Sequence, residues 1–289
     1  MKLLELSGGS HLAFDEYGDR RGVPVFFCHG WPSSRMMAQL TDEPARELGV
    51  RIISPDRPGI SGSALQMNRK LADWPPVLRQ LADHLGIDEF RMLAISGGAP
   101  YAYAAANAMP ERVRAIAIVS GAPPIVDLRD RSGLLRLYRW MLALHRTSPE
   151  LLRICFRCFR PFGSRRIPIR LRPLFLKIFQ PMDAAVLRDN AAFECCFESA
   201  RRAWRGSAEG VMLDAQVYAE PWGFKLEDVD VPVRLWHGKQ DRAFSFRIAE
   251  EVAQQLPNCK ARCVDGVGHF SLPIRHIREI LADLVSASS

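Results

Sequence analysis

Short apolar runs alternate along this chain with stretches in which apolar positions recur at helical spacing. Residues 23–29 (Val-Pro-Val-Phe-Phe-Cys-His), 51–55, 90–96, 113–120, 233–237 and 260–264 are largely apolar, with many β-branched or aromatic side chains. Short, largely apolar runs of this kind predict strands buried on both faces of a parallel sheet. Between them, residues 34–48, 77–85, 99–109, 246–256 and 274–285 have the spacing of helices. Asp73, just before Pro75 and Pro76, is the expected cap of the second helix. Strand and helix in repeated alternation predict an α/β fold built on a doubly wound, mostly parallel sheet. Residues 3–6 and 11–17 flank Gly8-Gly9 and predict an antiparallel hairpin at one edge of that sheet.

The alternation stops near residue 122. From there to about residue 225, Pro123-Pro124 opens an amphipathic helical pattern that Pro161, Pro168, Pro173 and Pro181 interrupt. Strand pattern returns only after Val231-Pro232. Residues 1–121 and 226–289 are therefore expected to form the core, with residues 122–225 inserted as a helical cap over the sheet. The longest uncharged run, residues 92–110, is long enough to span a bilayer. Ser96-Gly97-Gly98 and Pro100 break it, so it reads as two short elements joined by a turn. No apolar stretch of signal-peptide length opens the chain, and the expected location is cytoplasmic.

Composition excludes collagen-like, coiled-coil and disordered classes: 289 residues, 48% hydrophobic and 25% charged. The seven cysteines are odd in number in a chain too large to need disulfide staples, so reduced thiols are expected. Charge changes the picture more. The net +7 is local, because residues 122–225 hold 18 basic and 10 acidic residues while the remainder holds 21 and 22. Within the cap, residues 151–180 carry eight basic residues and no acid, interleaved with Phe156, Phe159, Phe162, Phe175 and Phe179. The leading expectation is a cap whose apolar face covers the site, with arginine stems lying over it. The alternatives are attraction of an anionic substrate or of an anionic membrane surface. No nucleic-acid-binding module is recognisable, so no nucleic-acid partner is expected. The scattered histidines and thiols lack ligand spacing, and no Gly-rich phosphate loop occurs, so neither metal nor cofactor is expected. Cys155-Phe156-Arg157-Cys158 has redox spacing but falls in a cap helix, without the strand-to-helix junction that such chemistry uses.

Candidate chemistry collects at the carboxyl ends of the predicted strands, where parallel α/β sheets assemble their sites. Ala94-Ile95-Ser96-Gly97-Gly98 sets a serine in a strand–turn–helix junction whose close crossing demands small neighbours, with Ala94 where glycine is usual. Gly238-Lys239-Gln240-Asp241 follows one strand, and Asp265-Gly266-Val267-Gly268-His269 follows the last. Cys28-His29-Gly30-Trp31-Pro32 follows the first long strand. A serine that attacks a carbonyl leaves an oxyanion, and the backbone amides of Trp31 and Gly97 are its candidate donors, at about 3 kcal/mol each. Gly30 is expected to permit a close approach that nothing larger would.

Together these residues resemble the α/β-hydrolase-fold superfamily, in its serine hydrolase form with a helical cap. The resemblance runs through His29-Gly30-Trp31, Asp56-Arg57-Pro58-Gly59 with Gly62 and Ser63, the Ser96 turn, Trp236-His237-Gly238 leading to Asp241, and Gly268-His269-Phe270. Ala94, Ser61 and Ser245 depart from the family pattern without removing a functional group. The resemblance implies Ser96 as nucleophile, His269 as its general base and Asp241 as the acid that orients the imidazole, through an acyl-enzyme. Asp265, four residues before His269, is the alternative acid. His29 and Gly30 are expected to support the oxyanion hole, with Asp56 and Arg57 anchoring their loop. A serine where relatives carry aspartate argues against the haloalkane dehalogenase and epoxide hydrolase branches. The implied activity is hydrolysis of a carboxylic ester or related acyl bond of a small molecule. Aminopeptidase and carbon–carbon bond hydrolase are alternatives within the fold, and a ligand-binding or lipid-surface protein retaining the triad is the non-catalytic one.

Overall fold

The apolar runs become strands. In the computed structural model, which describes residues 1–287, these are β1 (Lys2–Glu5), β2 (His11–Gly18), β3 (Val23–Cys28), β4 (Val50–Pro55), β5 (Phe90–Ile95), β6 (Val113–Val119), β7 (Val233–Gly238) and β8 (Cys259–Val264). They form one sheet in the order β1-β2-β4-β3-β5-β6-β7-β8, in which β2 runs antiparallel to both its neighbours, β1 and β4, and every other pairing is parallel. The predicted hairpin thus stands at the edge, turning where Gly9 takes φ +74°.

Helices α1 (Asp42–Glu47), α2 (Trp74–His84) and α3 (Ala99–Ala108) precede β6. Between β6 and β7 the chain forms α4 (Arg136–Thr147), α5 (Pro149–Gly163), α6 (Arg172–Phe175), α7 (Pro181–Val186), α8 (Asn190–Gly206) and α9 (Ala208–Ala219). Helices α10 (Phe246–Gln255) and α11 (Ser271–Ser286) follow β7 and β8. Leu78, Tyr101, Ala102 and Ile248 bring α2, α3 and α10 onto one face of the sheet. Ala45, Ile277 and Ile280 bring α1 and α11 onto the other.

Four local expectations are corrected. Residues 34–48 are not one helix but a 3-10 helix, Arg35–Thr41, followed by the short α1. Pro44 has no N–H to give a carbonyl one turn earlier, so the α-helix starts only just before it. Asp73 stands at the N-cap of α2, as expected, but its side chain makes no cap bond there, because Pro75 and Pro76 offer no amide to accept from. Its carboxylate instead accepts from the Lys70 amide at 2.7 Å. The last strand is not buried on both faces: β8 is the sheet edge, with Lys260, Ala261 and Arg262 exposed and the Arg262 guanidinium 4.4 Å from the Trp236 ring centroid. Pro161 does not interrupt α5, since it lies within two residues of the end, where only one backbone bond is lost.

In the insert, α5 packs on α4, α8 and α9. Its apolar residues divide into two sets, which alters the expectation of a single apolar face over the site. Leu142, Leu152, Phe156 and Leu176 are buried, whereas Trp140, Ile154, Phe162, Ile169, Leu174 and Ile178 face solvent. Among the described residues no helix is long and apolar enough to cross a membrane.

Candidate active site

Strand order reverses around β3: the chain leaves it for β4 on one side and later for β5 on the other. The loops after β3 and β5 therefore diverge above the sheet and leave a crevice between them. Ser96 opens the turn after β5 at φ +53°, a left-handed backbone that a serine holds only where the surroundings dictate it. The close crossing is measurable. A Cβ on Gly98 would lie 2.0 Å from the Cys28 carbonyl oxygen, and one on Gly97 would lie 2.6 Å from the Tyr218 hydroxyl and 2.8 Å from Trp31 Cβ. Ala94, fully buried, is accommodated at the position where glycine is usual. Gly30 is different from expectation: a Cβ there meets nothing closer than Ser96 Cβ at 3.5 Å, which is ordinary contact, so space alone does not demand glycine.

His269 Nε2 lies 3.0 Å from Ser96 Oγ, and its Nδ1 lies 2.7 Å from Asp241 Oδ2. The other Asp241 oxygen accepts from the amides of Ala243 at 2.7 Å and Phe244 at 3.2 Å. Burial raises the Asp241 carboxyl, but His269, His237 and the Phe244 amide together outweigh it and the net shift is downward. Burial likewise opposes charge on His269, yet the Asp241 carboxylate and its hydrogen bond carry the imidazole above the ordinary range. Asp265 makes no such contact; it lies on the surface and accepts from Gln240 Nε2 at 2.8 Å.

The loop after β3 is held from below. The Arg57 guanidinium donates to the carbonyls of His29 and Gly30, the latter at 2.7 Å. His29 Nδ1 donates to the Gly30 carbonyl at 3.0 Å, and its other nitrogen accepts the Arg57 amide at 3.4 Å. Burial first, then the Arg57 charge, keep this imidazole neutral. Asp56, fully buried, accepts from the Arg35 amide at 2.7 Å and the Gly62 amide at 3.1 Å. The Trp31 amide donates to no acceptor among the described residues, and a Cβ on Gly97 would come within 3.1 Å of that nitrogen. The backbones of Trp31 and Gly97 thus adjoin beside Ser96.

Three residues of the insert that sequence reasoning missed reach this machinery. Asp214 of α9 is buried and accepts from Arg57 at 2.7 Å, from Arg69, and from the Tyr101 hydroxyl at 2.7 Å. Burial raises its carboxyl, but the two guanidinium groups hold it far below the usual carboxylate range. Tyr218 donates to the Gly97 carbonyl at 2.8 Å. Asp183 of α7 is buried and accepts from the amides of Phe270 and Ser271, at 3.1 and 2.8 Å, which ties down the residues directly after His269. A signal existed for Asp214, the one acid in the apolar run Val211-Met212-Leu213-Asp214-Ala215.

Two pockets meet at Ser96 and Trp31. One, with a cavity volume of about 70 Å³, is lined by Gly97, Tyr138, Met141, Leu142, Tyr218 and Phe244 among others. The second, of about 180 Å³, is lined by Met37, Phe197, Ala200, His269, Phe270 and Ile274 among others. Both are predominantly apolar, and no carboxylate lines either. Among the described residues no three His, Cys, Asp or Glu side chains cluster as metal ligands would.

This architecture is that of an α/β hydrolase, and the chain belongs to the alpha/beta hydrolase family, whose model matches residues 25–283. It is 30% identical to a non-heme chloroperoxidase of Streptomyces lividans over 94% of this chain and 94% of that protein. A shorter match, 31% over 100 residues and 35% of each chain, is to an uncharacterized hydrolase of Bacillus subtilis. Among solved structures, a thermophilic esterase from Thermogutta terrifontis superposes with a TM-score of 0.68 at 19% identity, covering 99% of this chain and 98% of that one.

Proposed function

We propose that this protein hydrolyses a carboxylic ester of a small molecule through an acyl-enzyme on Ser96, with residues 122–225 acting as a cap over the site. The observation that carries the reading is the unbroken relay from Ser96 Oγ through His269 to Asp241, at 3.0 and 2.7 Å, on a strained turn. His269 Nε2 takes the Ser96 proton as the oxygen attacks the carbonyl carbon. The amides of Trp31 and Gly97 receive the oxyanion. The carbon–oxygen bond of the alcohol then breaks, and His269 returns the proton to the departing oxygen. Water attacks the acyl carbon by the same route, releasing the acid and restoring the serine. Asp241 holds the imidazole in the required tautomer throughout.

The leaving oxygen must lie beside His269, which assigns the alcohol to the pocket lined by His269 and Phe270 and the acyl group to the pocket lined by Tyr138 and Tyr218. Apolar walls on both sides suit an uncharged ester with hydrocarbon on each side of the bond. With no carboxylate in either lining to hold an α-ammonium group, the reading favours esters over aminoacyl amides.

A fluorophosphonate probe should add its mass at Ser96 in the wild type and not in Ser96→Ala, and an ester panel should be turned over faster than an aminoacyl-amide panel. A folded wild type that takes no label would refute the serine mechanism. Likeness to the chloroperoxidase favours one second reading, peroxide-dependent chlorination, which a chlorination assay on the same preparation tests.

A further inference from the structure

The insert turns an apolar surface outward that the chemistry at Ser96 does not use. Large apolar side chains exposed to water mark a surface that something else covers. Phe162 is 70% exposed, Ile169 76% and Ile178 73%, beside Trp140, Ile154 and Leu174. On α4, Trp140 lies opposite the buried Leu142; on α5, Ile154 lies opposite the buried Leu152 and Phe156. Residues 165–178 follow α5 directly and lie against the same helix, since Arg166 and Arg172 reach Glu198 and Glu194 of α8, on which α5 also packs.

What covers it is indicated by charge. Residues 151–180 hold eight basic residues and no acid. Arg165, Arg170 and Lys177 are exposed and make no ion pair among the described residues. They alternate with Ile169, Leu174 and Ile178 within one short stretch. A second copy of this chain fits poorly, because a symmetric pairing of this face would set the same cations against one another. Apolar side chains that enter an acyl layer, framed by cations that meet anionic headgroups, match a bilayer surface.

We infer that the outer surface of α4, α5 and residues 165–178 docks on an anionic lipid bilayer. Docking there sets the pocket wall against the membrane. The inner side of α4 contributes Tyr138, Met141 and Leu142 to the pocket, while its outer side presents Trp140.

The test is flotation of the whole protein with phosphatidylcholine vesicles and with vesicles that also contain phosphatidylglycerol. Binding is expected only to the anionic vesicles and should fall steeply with salt. Each basic residue near such a surface contributes about a fivefold factor, so Arg165→Gln/Arg170→Gln/Lys177→Gln should bind roughly a hundredfold more weakly. Ile169→Ser/Leu174→Ser/Ile178→Ser keeps every charge and should also lose most binding, with circular dichroism and thermal melting confirming that each variant folds. Failure to float with anionic vesicles, or equal binding to neutral ones, would overturn the inference. So would concentration-dependent dimerisation that the apolar variant abolishes, which would make a second copy the occupant. None of these readouts depends on turnover.

Discussion

At the scale of single residues, the relay has a definite electrical sense. In the proposed mechanism His269 must be neutral to take the Ser96 proton, and Asp241 holds its pKa above the ordinary histidine value against the opposing effect of burial. The acid limb of kcat/KM should therefore lie above the range of an ordinary histidine, and activity should rise with pH through it. The sign for stability is opposite. A raised pKa stabilises the fold fully below the unfolded value and loses that contribution as pH rises through the folded one, so the pairing stabilises most where His269 is inactive. Asp241→Asn should cost roughly 10⁴ in kcat and move the limb to lower pH, while Asp265→Asn should change neither, because Asp265 only meets Gln240 on the surface. A pH series of kcat/KM on both variants decides the assignment; the reverse ranking would make Asp265 the acid. The participants in this relay were legible in sequence because each follows a strand of one parallel sheet, and all such strand ends point the same way. Asp183 and Tyr218 were not legible, because each acts on a loop brought to it only by the folding of the insert.

At the scale of elements, the insert does more than lie over the site. Asp183 of α7 accepts the first amides of α11 and the Ser271 hydroxyl at 2.7 Å, supplying from another element the cap that α11 lacks in its own sequence. The side chain makes no hydrogen bond to Ser96; it bears on His269 by tying down the residues after it and by a charge that favours the protonated imidazole. Asp183→Ala should cost about 1 to 2 kcal/mol of stability by urea denaturation. It should also lower kcat with KM nearly unchanged, whereas a purely structural role would lower the folded fraction alone. Asp183→Asn keeps an acceptor oxygen and should recover much of both losses. The elements themselves were legible where burial is two-sided. Strands β3, β5, β6 and β7 stand inside the sheet and read as largely apolar runs, but β8 has one neighbour, and Lys260 and Arg262 alternating with apolar residues are the mark of that edge. Apolar spacing predicts a longer helix than the short α1, because it does not register the amide that Pro44 withholds.

For the molecule as a whole, the question is whether the insert is a separate lid or part of one cooperative structure. Asp214 argues for the second. It lies fully buried between Arg57, which holds the loop after β3, and Arg69, so one carboxylate on α9 neutralises two cations belonging to the core. A pair of this kind adds little over an apolar substitute, but breaking it leaves a charge stranded away from water. Asp214→Ala strands two, and should cost at least about 3 to 5 kcal/mol. Because Arg57 then loses the partner that fixes it under the carbonyls of His29 and Gly30, fluorophosphonate labelling of Ser96 should slow even where the protein is folded. In the wild type, urea should abolish labelling and tryptophan fluorescence in one coincident transition, because the insert cannot leave while Asp214 is shared. A lid that opens independently would instead lose labelling at lower urea than the core loses its fluorescence, and that separation would contradict the shared carboxylate as the link between insert and core.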